Sequence, residues 1–171
     1  MRKVILGVAV TLDGLIEGPN GEYDWCFTDQ DYGMGEFLKS IDTIFYGRKS
    51  YEIMAKAEGG LGTFGSNQNY VFSNSLNEVK DAELLKGDAV EHVRRIKSAS
   101  GKNIWLFGGA ELLSSLLNAG LVDELWLSVH PILLGSGKPL FVNLKSRIKT
   151  KLLESKPYET GLVSMRYQVV Y

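Results

Sequence analysis

An apolar run from Ile104 to Phe107 enters Gly108-Gly109 directly, and leucines at helical spacing (Leu112, Leu113, Leu116, Leu117) follow without a break. A short buried-type strand, a bare turn and an amphipathic helix make an α/β unit, which narrows the folds open to the chain. The turn also suits an anion. The first turn of a helix leaves backbone N–H groups unpartnered and carries the positive end of the dipole. With no Cβ on either glycine, a diphosphate can approach those groups. In open α/β sheets ligands collect at the carboxyl ends of strands, and this glycine pair lies at one. By itself the dipeptide is also an ordinary tight turn, so its weight depends on the rest of the sequence.

Other segments repeat the alternation of strand and helix. Val4 to Val10 is continuously apolar, as a strand covered on both faces must be. It is too short to span a bilayer and lacks the cleavage pattern of a secretory signal. Strands are expected over Thr43 to Tyr46, Tyr70 to Phe72, near Glu83 to Lys86, and over Glu124 to His130, where Pro131 follows. Met34, Phe37, Leu38 and Ile41 predict an amphipathic helix over Asp29 to Ile41, and a short helix is expected around Tyr51 to Ala57. Asp88 with Glu91 reads as a capping box for a helix burying Val90, Val93 and Ile96 or Lys97, and Gly120 suits the C′ position after the leucine-rich helix. Val163, Met165, Tyr167, Val169 and Tyr171 alternate with mostly polar residues. Lys151 to Ser155 precede them across a Pro157 to Gly161 turn, which predicts an antiparallel hairpin. The sum is one α/β domain over residues 1–171, with a mixed, mostly parallel central sheet. Between Thr11 and Thr28 lies a long polar loop whose Trp25, Cys26 and Phe27 argue against disorder.

Charge and residue usage exclude several function classes. The formal net charge is −1 and no Lys/Arg stripe exists, so neither a nucleic-acid backbone nor an anionic membrane is an expected partner. A lone Cys26 cannot form an intramolecular disulfide, and His92 and His130 have no companions at metal-ligand spacing. A reducing cytoplasm and no metal are expected. No G-x-G-x-x-G opens the helix after the first strand, Gly47-Arg48-Lys49-Ser50 lacks the rest of a P-loop, and no G-x-S-x-G elbow is present.

Three strand ends could serve one ligand together. Gly108, Gly109, Ala110 and Glu111 offer main-chain donors; Arg48, Lys49 and Ser50, after Gly47, offer two cations and a hydroxyl; Ser73 and Asn74 offer polar side chains. These parts suit a dinucleotide with an extra phosphate. Arginine contacts phosphate through two parallel N–H groups, so NADPH is favoured over NADH.

Five motifs in order resemble the dihydrofolate-reductase-like superfamily. They are Thr11-Leu12-Asp13-Gly14; Gly18-Pro19-Asn20-Gly21 through Trp25; Phe45-Tyr46-Gly47-Arg48-Lys49-Ser50-Tyr51-Glu52; Trp105-Leu106-Phe107-Gly108-Gly109-Ala110; and Pro131 through Phe141. Within it, the chain looks like the branch containing the reductase domain of the bifunctional riboflavin-biosynthesis protein. The resemblance implies a three-layer sandwich with helices on both faces of the sheet and NADPH across the strand ends. It also implies a cis Gly108–Gly109 peptide and a homodimer. Arg48, Lys49, Ser50, Ser73 and Asn74 would meet the adenosine side and its 2′-phosphate, with Gly47 and Phe107 beside the cofactor. Gly14, Leu15 and Ile16 would lie in a loop closing over nicotinamide. The implied activity is reduction of a small heterocycle, such as 5-amino-6-(5-phosphoribosylamino)uracil, or of another acceptor by a paralogue. Dihydrofolate reduction, or nucleotide binding without catalysis, is the alternative. The zinc deaminase signatures H-x-E and P-C-x-x-C are absent, so deamination by that chemistry is excluded.

On the substrate side, Asp31 is the first candidate acid. Its phase in the expected helix is that of Met34 and Leu38, where a carboxylate would be partly desolvated and suited to proton donation. It could equally decorate a helix start beside an Asp29 cap. Asp13 is the second candidate, although Asp before Gly is more often a turn residue. Trp25, Phe27 and Phe37 could wall a flat heterocycle or simply pack the core. Cys26 reads as packing, and His92 and His130 are given no role.

Overall fold

A computed structural model describes residues 1–171. The strands in chain order are β1 (Val4–Thr11), β2 (Leu15–Glu17), β3 (Ile41–Gly47), β4 (Gln68–Phe72), β5 (Glu83–Leu85), β6 (Asn103–Gly108), β7 (Glu124–His130), β8 (Lys138–Pro139), β9 (Lys149–Pro157) and β10 (Val163–Val170). The helices are α1 (Met34–Ser40), α2 (Arg48–Lys56), α3 (Ala89–Ser98) and α4 (Ala110–Asn118). Eight strands form one sheet in the order β5-β4-β3-β6-β1-β7-β10-β9. The six from β5 to β7 run parallel, and β10 lies antiparallel between β7 and β9.

Alternation along each strand divides the core in two. Val4 and Leu6 pack with Phe45, Leu106 and the inner faces of α3 and α4. Ile5, Ile44 and Trp105 point the other way, against Phe37 of α1, Tyr51 of α2 and Leu61. Val4 and Ile5 are both fully buried, which explains the unbroken apolar run of β1. Helices therefore cover both faces, and the fold is the three-layer dihydrofolate-reductase-like sandwich with its C-terminal hairpin. Truncating a fully buried side chain such as Leu106 or Leu116 to alanine costs about 2–5 kcal/mol.

Glu124 fastens three strands. Its buried carboxylate accepts from Lys3 Nζ and Arg166 Nε, each at 2.6 Å. Burial raises its pKa, and the two hydrogen bonds and charges outweigh that, leaving the group below its ordinary value.

Three expectations need correction. The helix expected from Asp29 starts only at Met34, because Tyr32 (φ 50°) and Gly33 (φ 89°) are left-handed and cannot continue a right-handed helix. The helix expected around Tyr51 begins earlier, at Arg48, so Arg48, Lys49 and Ser50 form its first turn. The long loop after β1 contains β2, which pairs antiparallel with β8. That pairing joins residues more than 120 positions apart, which no local pattern signals.

Candidate active site

Neighbouring parallel strands end side by side, so their carboxyl-terminal residues converge. Gly47 ends β3, Phe72 ends β4 and Gly108 ends β6, in the order β4-β3-β6. Together they open a cavity of about 320 Å³ lined by Arg48, Lys49, Ser73, Asn74, Gly109 and Glu111 among others. The three strand ends identified in the sequence thus meet in one place. Two helices begin here, α2 after Gly47 and α4 after Gly109, and neither has a side-chain cap. Their first-turn N–H groups are available to an anion.

Glycine is required by contact at Gly47. A Cβ there would sit 3.1 Å from the Gly109 amide nitrogen and 3.4 Å from the Gly108 carbonyl oxygen. The Gly108–Gly109 peptide is cis, and Ser50 Oγ would lie 3.3 Å from a Cβ added at Gly108. Arg48 reaches both oxygens of Glu52 at 3.0 Å, an exposed pair that holds the guanidinium beside the cavity. Ser73 Oγ accepts from the Ser75 and Leu76 amides, and Asn74 Oδ1 accepts from the Gly87 amide at 2.7 Å, so both side chains also shape their turns. Gly87 and Lys138 line the same cavity and were not anticipated. Gly87 lies between β5 and α3 and Lys138 opens β8, and both reach the strand ends only in the folded chain.

Gly109 and Ala110 also line a second cavity of about 500 Å³, so the two spaces meet at the start of α4. The second is mainly apolar, with Phe107, Trp105, Trp126, Phe64, Met34 and Phe27 in its walls. Trp105 Nε1 donates to the Gly7 carbonyl at 2.9 Å and Trp126 Nε1 to Ser164 Oγ at 2.8 Å, which fixes both indoles. Ile16 reaches this wall, while Gly14 and Leu15 act as support. Leu15 pairs with Pro139, and the Gly14 carbonyl accepts from the Leu140 amide at 2.9 Å.

The aromatic candidates separate. Phe27 lines the apolar cavity, whereas Trp25 is buried against His130, their rings 5.2 Å apart. Phe37 does not reach that cavity; it packs in the core between Trp105 and Trp126. Its wall position is corrected because the helix stripe that carries it faces the sheet. His130, given no role from sequence, is central here. Its Nδ1 faces the Ser128 carbonyl at 2.9 Å, and Nε2 accepts from the Phe27 amide at 3.1 Å. Accepting a main-chain N–H at Nε2 requires the proton on Nδ1 and an uncharged ring, and burial lowers its pKa in the same sense. Its position at the end of β7 was the available signal, since the strand-end rule applies there too.

Asp31 is not on the desolvated stripe. It is exposed in the turn before α1, where its carboxylate accepts from the Gly33 and Gly35 amides at 3.0 and 2.8 Å. It nevertheless borders the apolar cavity. Asp13 clasps two loops: it accepts from Thr11 Oγ1 at 2.5 Å and from the Gly135 amide at 2.8 Å. The Thr11 and Gly135 hydrogen bonds hold its carboxyl below the usual range, which opposes a role as proton donor. Cys26 also lines the cavity, and burial, aided by Asp24, pushes its thiol up to about 11.

Residues 2–164 match the family described as the RibD C-terminal domain, and the chain belongs to that family. The uncharacterized protein YyaP of Bacillus subtilis (strain 168) is 44% identical over 97% of this chain and 94% of its own. Among solved structures, the "putative riboflavin biosynthesis protein" of Shewanella sp. PV-4 superposes with a TM-score of 0.86 at 24% identity, over the whole of both chains. Dihydrofolate reductase from Enterococcus faecalis, solved with NADP(H), gives 0.69 at 16% identity over 98% of this chain and 94% of that one. At these identities the two structures share the fold. No helix is long and apolar enough to cross a membrane.

Proposed function

We propose that the protein is an NADPH-dependent reductase of a small heterocyclic acceptor. One observation carries the reading: a polar cavity with cations and two uncapped helix starts adjoins, at Gly109 and Ala110, an apolar cavity walled by aromatic rings. A dinucleotide needs such a pair of environments in series. The residues present fit it. The amides at the starts of α2 and α4 would hold phosphates, with Arg48 and Lys49 favouring the form with the extra 2′-phosphate. Phe107, Ile16 and Trp126 would orient the flat groups and exclude water.

When bound, NADPH supplies a hydride to the acceptor, and one proton completes the reduction. Asp31, at the rim, and the neutral His130, whose N–H is committed to Ser128, leave solvent entering past Asp31 as the route for that proton. Membership of the RibD C-terminal domain family supports a reductase. Of the acceptors the resemblance implies, this site supports best a paralogue with an acceptor other than the phosphorylated riboflavin precursor. A homodimer fits the exposed edge strand β9, where Leu152 and Leu153 are about half exposed (50% and 47%).

Thermal unfolding with saturating NADPH or NADH tests the cofactor. NADPH should raise Tm clearly more than NADH, and Arg48→Ala should erase the difference while leaving the unliganded Tm nearly unchanged, since exposed pairs contribute about 0–1 kcal/mol. No shift with NADPH would overturn the reading.

A further inference from the structure

Cations are segregated between the two adjoining cavities. Arg48, Lys49 and Lys138 all line the polar one, with Glu111 as its single carboxylate. The apolar cavity has no lysine or arginine in its lining, and its charged side chains are Glu17 and Asp31 alone. Its one imidazole, His130, accepts the Phe27 amide at Nε2 and so carries no charge in this arrangement. Glu17 leans toward Lys138 at 4.0 Å, whereas Asp31 has only main-chain amides as partners. Asp24 adds negative potential close enough to raise the Cys26 thiol in the cavity wall. A phosphate brought into such a space would lose its hydration with no cation to replace it and with carboxylates nearby.

The nearest cations outside are Lys156 and Arg166, in a third cavity that shares only the Tyr32 and Trp126 rings with the apolar one. They do not face the apolar space as free charges. Arg166 is held by buried Glu124 at 2.6 Å, and Lys156 lies over the Tyr158 ring at 5.0 Å. Glu36 and Glu154 line the same cavity and balance them.

We infer that the acceptor of this reductase is a flat, largely apolar molecule that carries no phosphate or carboxylate and is neutral or cationic. This rests on the proposed function, because it takes the polar cavity as the cofactor's and the apolar one as the acceptor's. The phosphorylated ribosylaminopyrimidine of the riboflavin branch is then a poor ligand for this chain, although the fold is shared.

The test measures binding to the NADP⁺-loaded protein by equilibrium dialysis with three matched pairs: riboflavin and FMN, uridine and UMP, pterin and pterin-6-carboxylate. Loading is verified beforehand by the NADP⁺ thermal shift, so a failed cofactor reading shows separately. At least one uncharged member should bind about tenfold or more tighter than its anionic partner, and Asp31→Asn, which keeps an acceptor for the Gly35 amide, should narrow that gap. An anionic member binding as tightly as its neutral partner overturns the inference. So does the absence of binding by every uncharged member at millimolar concentration. Either result leaves the reductase assignment standing if the cofactor shift is present.

Discussion

Replacing Gly47 by alanine isolates the close approach of β3 to Gly108–Gly109 on which the proposed phosphate seat depends. The backbone at Gly47 (φ −72°, ψ 161°) is one that alanine adopts freely, so no dihedral penalty confuses the result. The new methyl carbon would stand 3.1 Å from the Gly109 nitrogen and 3.4 Å from the Gly108 oxygen. Both are main-chain atoms at the junction of β6 and α4, so relief requires the junction to retreat by a few tenths of an ångström rather than one side chain to turn. Overpacking of this kind costs about 1–3 kcal/mol. For a domain of this length each kcal/mol lowers Tm by roughly 2–4 °C. The amides that would hold the cofactor diphosphate move with the junction, and losing about 1.4 kcal/mol of that interaction weakens NADPH binding about tenfold. Differential scanning fluorimetry and an NADPH fluorescence titration read the two effects. Gly62→Ala is the control, since a Cβ there meets nothing within 4 Å. A Gly47→Ala protein with Tm within about 1 °C of the parent and unchanged NADPH affinity would refute the reasoning that the close approach of β3 shapes the seat.

Cys26, with its thiol pushed up to about 11, should react only slowly with a disulfide reagent at pH 7.5 and much faster near pH 10; rapid stoichiometric labelling at neutral pH would contradict the burial and Asp24 effects. His130 has its pKa lowered by burial, so the unfolded chain takes up its proton first as pH falls. The stability it contributes is complete above the ordinary value of about 6.5 and declines as pH drops through the folded pKa. His130→Gln should therefore flatten the decline in Tm measured between pH 7 and 5, and an unaltered slope would exclude the imidazole as its source. Light scattering should give twice the chain mass of 19.0 kDa if β9 joins two copies, and Leu152→Lys should return the chain to monomer; a monomeric parent would reject the homodimer.

Much of the scaffold is legible locally. Strand β7 falls over Glu124 to His130 as its β-type residues and Pro131 indicate, and Asp88 caps α3 by accepting from the Val90 amide at 2.8 Å. Such features depend on neighbours within a few positions, which periodicity and capping rules describe. The start of α1 was missed because the apolar stripe predicts which face is buried, not where two left-handed residues interrupt the backbone.

The polar cavity of the candidate site was readable because its parts are main-chain features at strand ends. Gly47, Arg48, Ser73 and Gly109 needed only the rule that parallel strands expose their carboxyl ends together. The apolar cavity was largely illegible. Alternation along β7 puts Trp126 and His130 on one face, but nothing local brings Met34 of α1 or Phe64 to the same cavity. Phe37 shows the converse, having the right chemistry for a ring wall but a direction set by the sheet beneath α1.

The order of apolar runs, caps and glycines alone was enough to specify an α/β chain with a mixed, mostly parallel sheet and a bare glycine pair between strand and helix, because these choices are made by backbone geometry within a few residues. Only the folded chain decided that Asp13 and Asp31 tie down loop and turn amides, and that Arg48, Lys49 and Lys138 line one cavity at Gly109 while no lysine or arginine lines the other. Hydrogen-bond partners and electrostatic surroundings are set by residues distant in sequence, and they exist only once the sheet has brought those residues together.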